Sequence, residues 1–196
     1  MSESGIEVEV KVPVTNPEAV RRALRRRGAV RINSETQYDE YYDHPCKSFH
    51  ATDEAVRLRR RIPTSIRQNV AKGGFGQIIE LTYKGPKVDS KSKTRIEVSF
   101  AVDNLESARL FLENLGFQYV ATMTKRRSFY KLDDITASLD DVEEVGLFLE
   151  IEQIVTLYDE VERTRERLLH LVGELGLNPS DSIRESYLEL FFQKGT

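Results

Sequence analysis

The sequence predicts an α+β fold: an eight-stranded antiparallel β-barrel with helices packed outside it. Two observations carry that expectation. Segments that alternate apolar and charged residues recur along the chain, the period of strands with one buried face. A strand–helix–strand unit also occurs twice at matched spacing, which implies approximate two-fold symmetry within one fold. The length, 196 residues, suits a single domain over 1–196 with a substantial core.

The elements follow in order. Ile6-Glu-Val-Glu-Val-Lys-Val12 alternates over a full strand length. Asn16-Pro17 opens a helix, since Asn caps and Pro tolerates the first helical position, and Gly28 closes it. Val20, Ala23 and Leu24 supply its apolar stripe, and Arg21, Arg22 and Arg25 to Arg27 read as a solvated face. Strands are expected over Ser34–Asp43, Ala55–Ile62 and Ile78–Lys84. Pro63 to Gln77, with its Lys72-Gly-Gly-Phe-Gly76, reads as a long hairpin loop, because it lacks both the Walker spacing and a following helix. Arg95–Phe100 then repeats the first strand, Asn104 to Gly116 the first helix at the same length, and Ala121–Leu132 the strand after it. A hairpin over Ile135–Asp140 and Leu147–Ile154 precedes two closing helices, Tyr158–Leu175 and Ile183–Phe192.

Composition narrows the function. No window approaches ~20 apolar residues, so no membrane span is expected. The N-terminus has no basic region followed by an apolar stretch, which makes the cytoplasm the expected compartment. A net charge of −3 argues against nucleic acid as a partner. One cysteine, Cys46, can form neither an internal disulfide nor a thiolate cage, and His44, His50 and His170 lack zinc spacing. The last helix, with Leu188-Glu-Leu-Phe-Phe192, is expected to pack on the fold, a homodimer contact being the alternative.

Strand parity then groups the charges. Glu7, Glu9 and Lys11 share a face opposite Val8 and Val10; Arg57 and Arg59 lie opposite Val56 and Leu58. Glu80 and Lys84, Arg95 and Glu97, Lys125 and Arg127, Asp140, and Glu150 and Glu152 group likewise. Either the charged faces turn inward with helices over the apolar ones, or they face solvent with the same helices behind. Charge type favours the interior. The faces carry seven cations (Lys11, Arg57, Arg59, Lys84, Arg95, Lys125, Arg127) and seven carboxylates (Glu7, Glu9, Glu80, Glu97, Asp140, Glu150, Glu152). Carboxylates are the hard oxygen donors that Mg²⁺ and Mn²⁺ prefer, and divalent ions would turn the balance cationic, a complement to a triphosphate. Arg is the bidentate partner of phosphate and Lys a point charge beside it.

These residues carry a resemblance. Glu7-Val-Glu-Val-Lys11 resembles the Glu-x-Glu-x-Lys signature of the CYTH superfamily, the triphosphate tunnel metalloenzymes. Ala55-Val-Arg-Leu-Arg59, Leu81-Thr-Tyr-Lys-Gly-Pro86, Lys125-Arg-Arg127 and the stretch from Ser138 to Glu152 follow in the family order, over roughly Ile6 to Tyr187. The resemblance implies an eight-stranded tunnel acting on a triphosphate with Mg²⁺ or Mn²⁺. By position it implies Glu7, Glu9, Asp140, Glu150 and Glu152 as metal ligands. Lys11, Arg57, Arg59, Lys84, Arg95, Lys125 and Arg127 would hold phosphate, and Glu7, Glu9, Lys11 and Glu152 would be catalytic. Tyr41-Tyr-Asp-His-Pro-Cys46, Thr52-Asp-Glu-Ala-Val-Arg57 and Ser90-Lys-Ser-Lys-Thr-Arg95 are similar to the class IV adenylyl cyclase branch. That branch implies conversion of ATP to cyclic AMP and pyrophosphate. Hydrolysis of inorganic triphosphate, a nucleoside triphosphate or thiamine triphosphate is the alternative, and a non-catalytic polyphosphate-binding module a third.

Overall fold

The computed structural model describes residues 6–64, 76–87 and 95–194. The chain runs β1 (Ile6–Pro13), α1 (Pro17–Arg26), β2 (Val30–Asp43), α2 (Phe49–Thr52), β3 (Ala55–Pro63), β4 (Ile78–Lys87), β5 (Arg95–Ala101) and α3 (Leu105–Asn114). It continues through β6 (Gln118–Leu132), β7 (Ile135–Val142), β8 (Gly146–Val155), α4 (Val161–Glu174) and α5 (Tyr187–Lys194). The strands follow the order β1-β8-β7-β6-β2-β3-β4-β5. The α+β class and the eight antiparallel strands match the expectation.

The internal repeat is present in atomic detail. Asn16 and Asn104 cap α1 and α3, their Oδ1 atoms accepting from Ala19 N at 3.0 Å and Ser107 N at 2.8 Å. Gly28 and Gly116 take φ of 87° and 86°. The amide after each returns to the helix, Ala29 N to Leu24 O and Phe117 N to Leu112 O, both at 3.0 Å. Both helices therefore end in the same left-handed stop. The two glycines differ in their surroundings. A Cβ at Gly28 meets nothing within 4 Å, whereas one at Gly116 meets Pro45 Cβ at 3.3 Å. Gly28→Ala is expected to cost about 1 kcal/mol from its dihedral alone, and Gly116→Ala about 1–3 kcal/mol once contact strain is added. Urea unfolding of the two variants checks the order.

Several boundaries depart from expectation: β4 runs on to Lys87, β6 begins at Gln118 and α4 at Val161. β2 begins at Val30 rather than Ser34. A short α2 stands where none was predicted, with Ser48 as its cap and Asp53 in the left-handed conformation after it. The last helix starts at Tyr187, not Ile183, because the Ile183 amide donates to Lys11 O (2.9 Å) and serves as a bridge to β1. The expected loop over Pro63 to Gln77 lies largely outside the described residues.

Two compact units share these elements. The first holds residues 6–33 and 126–194, the second 34–64, 76–87 and 95–125. Each has its own core. In the first, Val8, Val10 and Val12 of β1, Ala137 and Leu139 of β7, and Leu149 and Ile151 of β8 pack with Val20 and Leu24 of α1 and Leu168 and Val172 of α4. In the second, Val56, Leu58, Ile79 and Leu81 pack with Ala108 and Leu112 of α3 and Phe49 of α2. In both, helices cover the apolar parity of the central strands, which leaves the charged parity to the other face; on β5 the apolar parity, Ile96, Val98 and Phe100, is exposed. The middle of the charged face is buried, with Lys11 and Asp39 2% exposed and Asp140 0%, while Glu7 and Glu97 at its margins are exposed. The solvent-facing alternative fails on Lys11, Asp39 and Asp140. The arginines of α1 do face solvent, with Arg25, Arg26 and Arg27 exposed and Arg27 paired to Glu174. Among the described residues no helix is long and apolar enough to cross a membrane.

Candidate active site

In the first unit, pairing in register sets an acidic face. Glu9 of β1 lies opposite Glu152 of β8, which lies opposite Thr136 of β7. In the next row Lys11, Glu150 and Ser138 align, and beyond it Phe148 faces Asp140. Glu7 pairs with Ile154 at the strand end and is exposed. Arg127 of β6 donates to Asp140 through Nε (2.7 Å) and Nη2, and to Glu150 through Nη2. Burial works against the Arg127 charge, yet the adjoining Glu150 and Asp140 hold its pKa well above the ordinary value. The segment before and into α5 closes over this set. Lys11 Nζ donates to Glu185 O (2.6 Å), stands 3.8 Å from Glu150 and lies 4.2 Å from the centre of the Tyr187 ring. Tyr187 Oη donates to Asp140 Oδ2 at 2.8 Å.

Two carboxylates in this face face each other across strands. Burial raises the pKa of Glu152, and the negative charge of Glu9 opposite it raises it further, with Glu150 adding to both. Such a pair is relieved by a cation with a preference for oxygen. Of the five residues expected to bind metal, Glu9 and Glu152 therefore fit a hard divalent ion by donor chemistry. The full set does not converge as it stands: Arg127 engages Asp140 and Glu150, and Glu7 lies at the rim. Among the described residues no group of three or more acidic, histidine or cysteine side chains is arranged to hold a metal ion.

The second unit carries a basic face. Along β2 and β3, Tyr41 aligns with Arg57, Asp39 with Arg59 and Gln37 with Arg61. Across β3 and β4, Arg57 aligns with Thr82 and Arg59 with Glu80; across β4 and β5, Thr82 meets Ser99 and Lys84 meets Glu97. Arg59 forms a bidentate pair with Asp39, both contacts 2.6 Å, and Lys125 Nζ is 3.8 Å from the same carboxylate. Burial alone would raise the Asp39 pKa, but Arg59, Lys125 and Arg57 outweigh it and bring it far below the usual carboxylate range. Tyr41 is pushed up to about 12 by burial and by Asp39.

Arg57 is only partly satisfied. Its Nη2 reaches Thr82 Oγ1 at 3.3 Å and Glu80 at 3.6 Å, while its buried Nε has no hydrogen-bond partner among the described residues. Burial lowers its pKa and Arg59 lowers it further. Lys84 is lowered by burial and then by Arg57, although Glu97 Oε1 sits 2.6 Å from its Nζ. Two buried cations, one lowered by Arg59 and the other by Arg57, are a place for an anion.

The expected residues thus divide between two faces. Glu7, Glu9, Lys11, Asp140, Glu150 and Glu152 stand in the first unit, together with Arg127, which meets carboxylates there. Arg57, Arg59, Lys84 and Lys125 stand in the second. The Arg95 side chain lies outside what is described. Sequence reasoning missed Asp39, Glu35, Gln37, Tyr41, Arg61 and Tyr187. Parity along β2 could have found the first four, since Glu35, Gln37, Asp39 and Tyr41 alternate with Thr36, Tyr38 and Glu40.

The eight antiparallel strands and their charged faces place the chain in a known class: it belongs to the CYTH domain family, whose model matches residues 5–187. It is 37% identical over 185 residues to a Methanocaldococcus jannaschii protein named as a proposed adenylate cyclase, covering 94% of this chain and 98% of that one. It is 25% identical to the adenylate cyclase CyaB of Aeromonas hydrophila over 97% of this chain and 91% of that one. A solved structure from Pyrococcus horikoshii OT3, 35% identical, covers 96% of this chain and 99% of its own with a TM-score of 0.83.

Proposed function

We propose that the protein is an adenylyl cyclase that converts ATP to cyclic AMP and pyrophosphate with Mg²⁺ or Mn²⁺. The observation that carries the triphosphate part is Arg57, a buried cation with an unsatisfied Nε beside Arg59 and Lys84. A phosphate oxygen supplies what Arg57 lacks and offsets the positive charge that lowers Lys84. The cyclase part is supported by the M. jannaschii and A. hydrophila relatives and what their names say of them. Glu9 and Glu152 would hold the divalent ion, while Glu150 Oε2 is engaged by Arg127. When bound, such an ion supplies charge neutralisation on the phosphate chain.

The reaction joins the ribose 3′-oxygen to the α-phosphorus and breaks the bond from that phosphorus to the leaving pyrophosphate, with one proton lost from the hydroxyl. Arg57, Arg59, Lys84 and Lys125 hold and neutralise the phosphates. Asp39 keeps Arg59 and Lys125 in place. The same basic face would serve a triphosphatase, in which water attacks the terminal phosphorus. Product analysis with ATP, inorganic triphosphate and thiamine triphosphate, each with Mg²⁺ and separately with Mn²⁺, separates the two. Cyclic AMP with an equal amount of pyrophosphate is the expected result. Orthophosphate without cyclic AMP would make the protein a phosphohydrolase.

A further inference from the structure

One polar group on the basic face of the second unit takes no part in holding phosphate. Gln37 of β2 is 1% exposed and Glu35 is 2%. Both share the strand face of Asp39, and Gln37 aligns with Arg61 of β3. Arg61 gives Glu35 a bidentate pair, Nε to Oε1 at 2.8 Å and Nη2 to Oε2 at 3.1 Å. Gln37 Nε2 donates to the same Glu35 Oε1. This fixes the amide orientation, because a carboxylate can only accept. It leaves Gln37 Oε1 buried with no hydrogen-bond partner among the described residues. A buried acceptor without a donor is among the more expensive features a fold can retain.

The group therefore presents one acceptor, Gln37 Oε1, beside the guanidinium of Arg61, whose Nη1 takes no part in the Glu35 pair. An acceptor next to a donor is the complement of an amino group beside a ring nitrogen. Adenine carries that edge on both its six-membered and its five-membered side. Hypoxanthine has an oxygen in place of the amino group, and inorganic triphosphate has neither. Placement also agrees. Arg61 stands four residues along β3 from Arg57, ~13 Å at the rise of an extended strand, a separation suited to a phosphate chain at one end and a base at the other.

We infer that Gln37 and Arg61 form the base-reading end of the substrate site and select an amino-bearing purine, with Glu35 positioning both. The inference rests on the triphosphate reading above and adds the part of the substrate that reading leaves open.

The test is calorimetric binding of ATP, inosine triphosphate and inorganic triphosphate to the full chain, with one divalent cation throughout. ATP is expected to bind about 10- to 100-fold tighter than inosine triphosphate, the range for one buried hydrogen bond made or left unmade. In Gln37→Met that ratio is expected to fall toward one. Gln37→Asn, which keeps the amide but withdraws it by one methylene, is expected to lower the ratio as well, and it covers the case in which the methionine variant does not fold. Equal binding of ATP and inosine triphosphate by the unaltered protein, with inorganic triphosphate also bound, overturns this inference and leaves the triphosphate reading standing. An ATP preference that persists undiminished in both variants overturns the assignment to Gln37. If none of the three ligands binds, the reading on which the inference rests has failed.

Discussion

Glu152→Gln is expected to lower turnover at least ~10³-fold, the scale of losing one electrostatic contributor at a phosphoryl-transfer centre, while making the protein more stable at neutral pH. The two effects have one origin. Burial and the facing Glu9 raise the Glu152 pKa above its ordinary 4.5, so the folded state holds the proton more tightly than the unfolded chain does. Stability linked to this group is therefore present below pH 4.5 and is lost as pH rises through the raised value. At neutral pH the ionised carboxylate destabilises the fold, and a neutral amide of the same shape removes that burden. Urea unfolding at pH 7.5 and at pH 4 checks the sign: the variant gains at the higher pH, and the gain shrinks at the lower. Opposite movement of activity and stability separates a residue retained for chemistry from one retained for folding. A variant that loses both together would place Glu152 in the scaffold.

Arg127→Met is expected to destabilise the protein by about 3–5 kcal/mol, the range for removing one partner from a buried ion pair. The guanidinium stands between Asp140, which is 0% exposed, and Glu150, which is 9%. Without it two buried carboxylates repel each other, and Asp140 keeps the Tyr187 hydroxyl as a donor. Adding Glu150→Gln to Arg127→Met removes the repulsion and is expected to recover part of the loss. Their coupling, measured by urea unfolding of the single and double variants, should exceed ~1 kcal/mol. A second outcome bears on metal binding. If Mg²⁺ or Mn²⁺ can take the place of the guanidinium between these carboxylates, either ion will raise the melting temperature of Arg127→Met more than that of the unaltered protein.

Much of this was legible in the sequence, for a reason specific to strands. Side chains alternate strictly, so Glu7-Val-Glu-Val-Lys11 discloses both faces of β1 without any tertiary information. The same holds for Arg57 and Arg59 opposite Val56 and Leu58, and the helix stops at Gly28 and Gly116 followed from local chemistry alone. Neighbour relations are not local. That Asp39 would meet Arg59, or Arg127 would meet Asp140 and Glu150, depends on strand order and register, which alternation does not encode. The balanced count of cations and carboxylates concealed their segregation for the same reason. Tyr187 was read as one residue of a helix over Ile183–Phe192. Its placement beside Lys11 and Asp140 required Ile183 to leave that helix and pair with β1, a long-range contact with no signal in the segment itself.

That contact has a consequence for how the protein is made. Lys11 and the Glu185 carbonyl it binds are 174 residues apart, so a ribosome releases the first strand long before the segment that covers its basic end. The acidic face cannot reach its finished arrangement until translation has passed Tyr187. Until then β1 is held by nearer elements such as α1 and β8, and a nascent chain stalled short of residue 183 would display Lys11 without the cover that Glu185 and Tyr187 give it in the finished protein. The face on which the proposed chemistry depends is thus among the last parts of the molecule to exist.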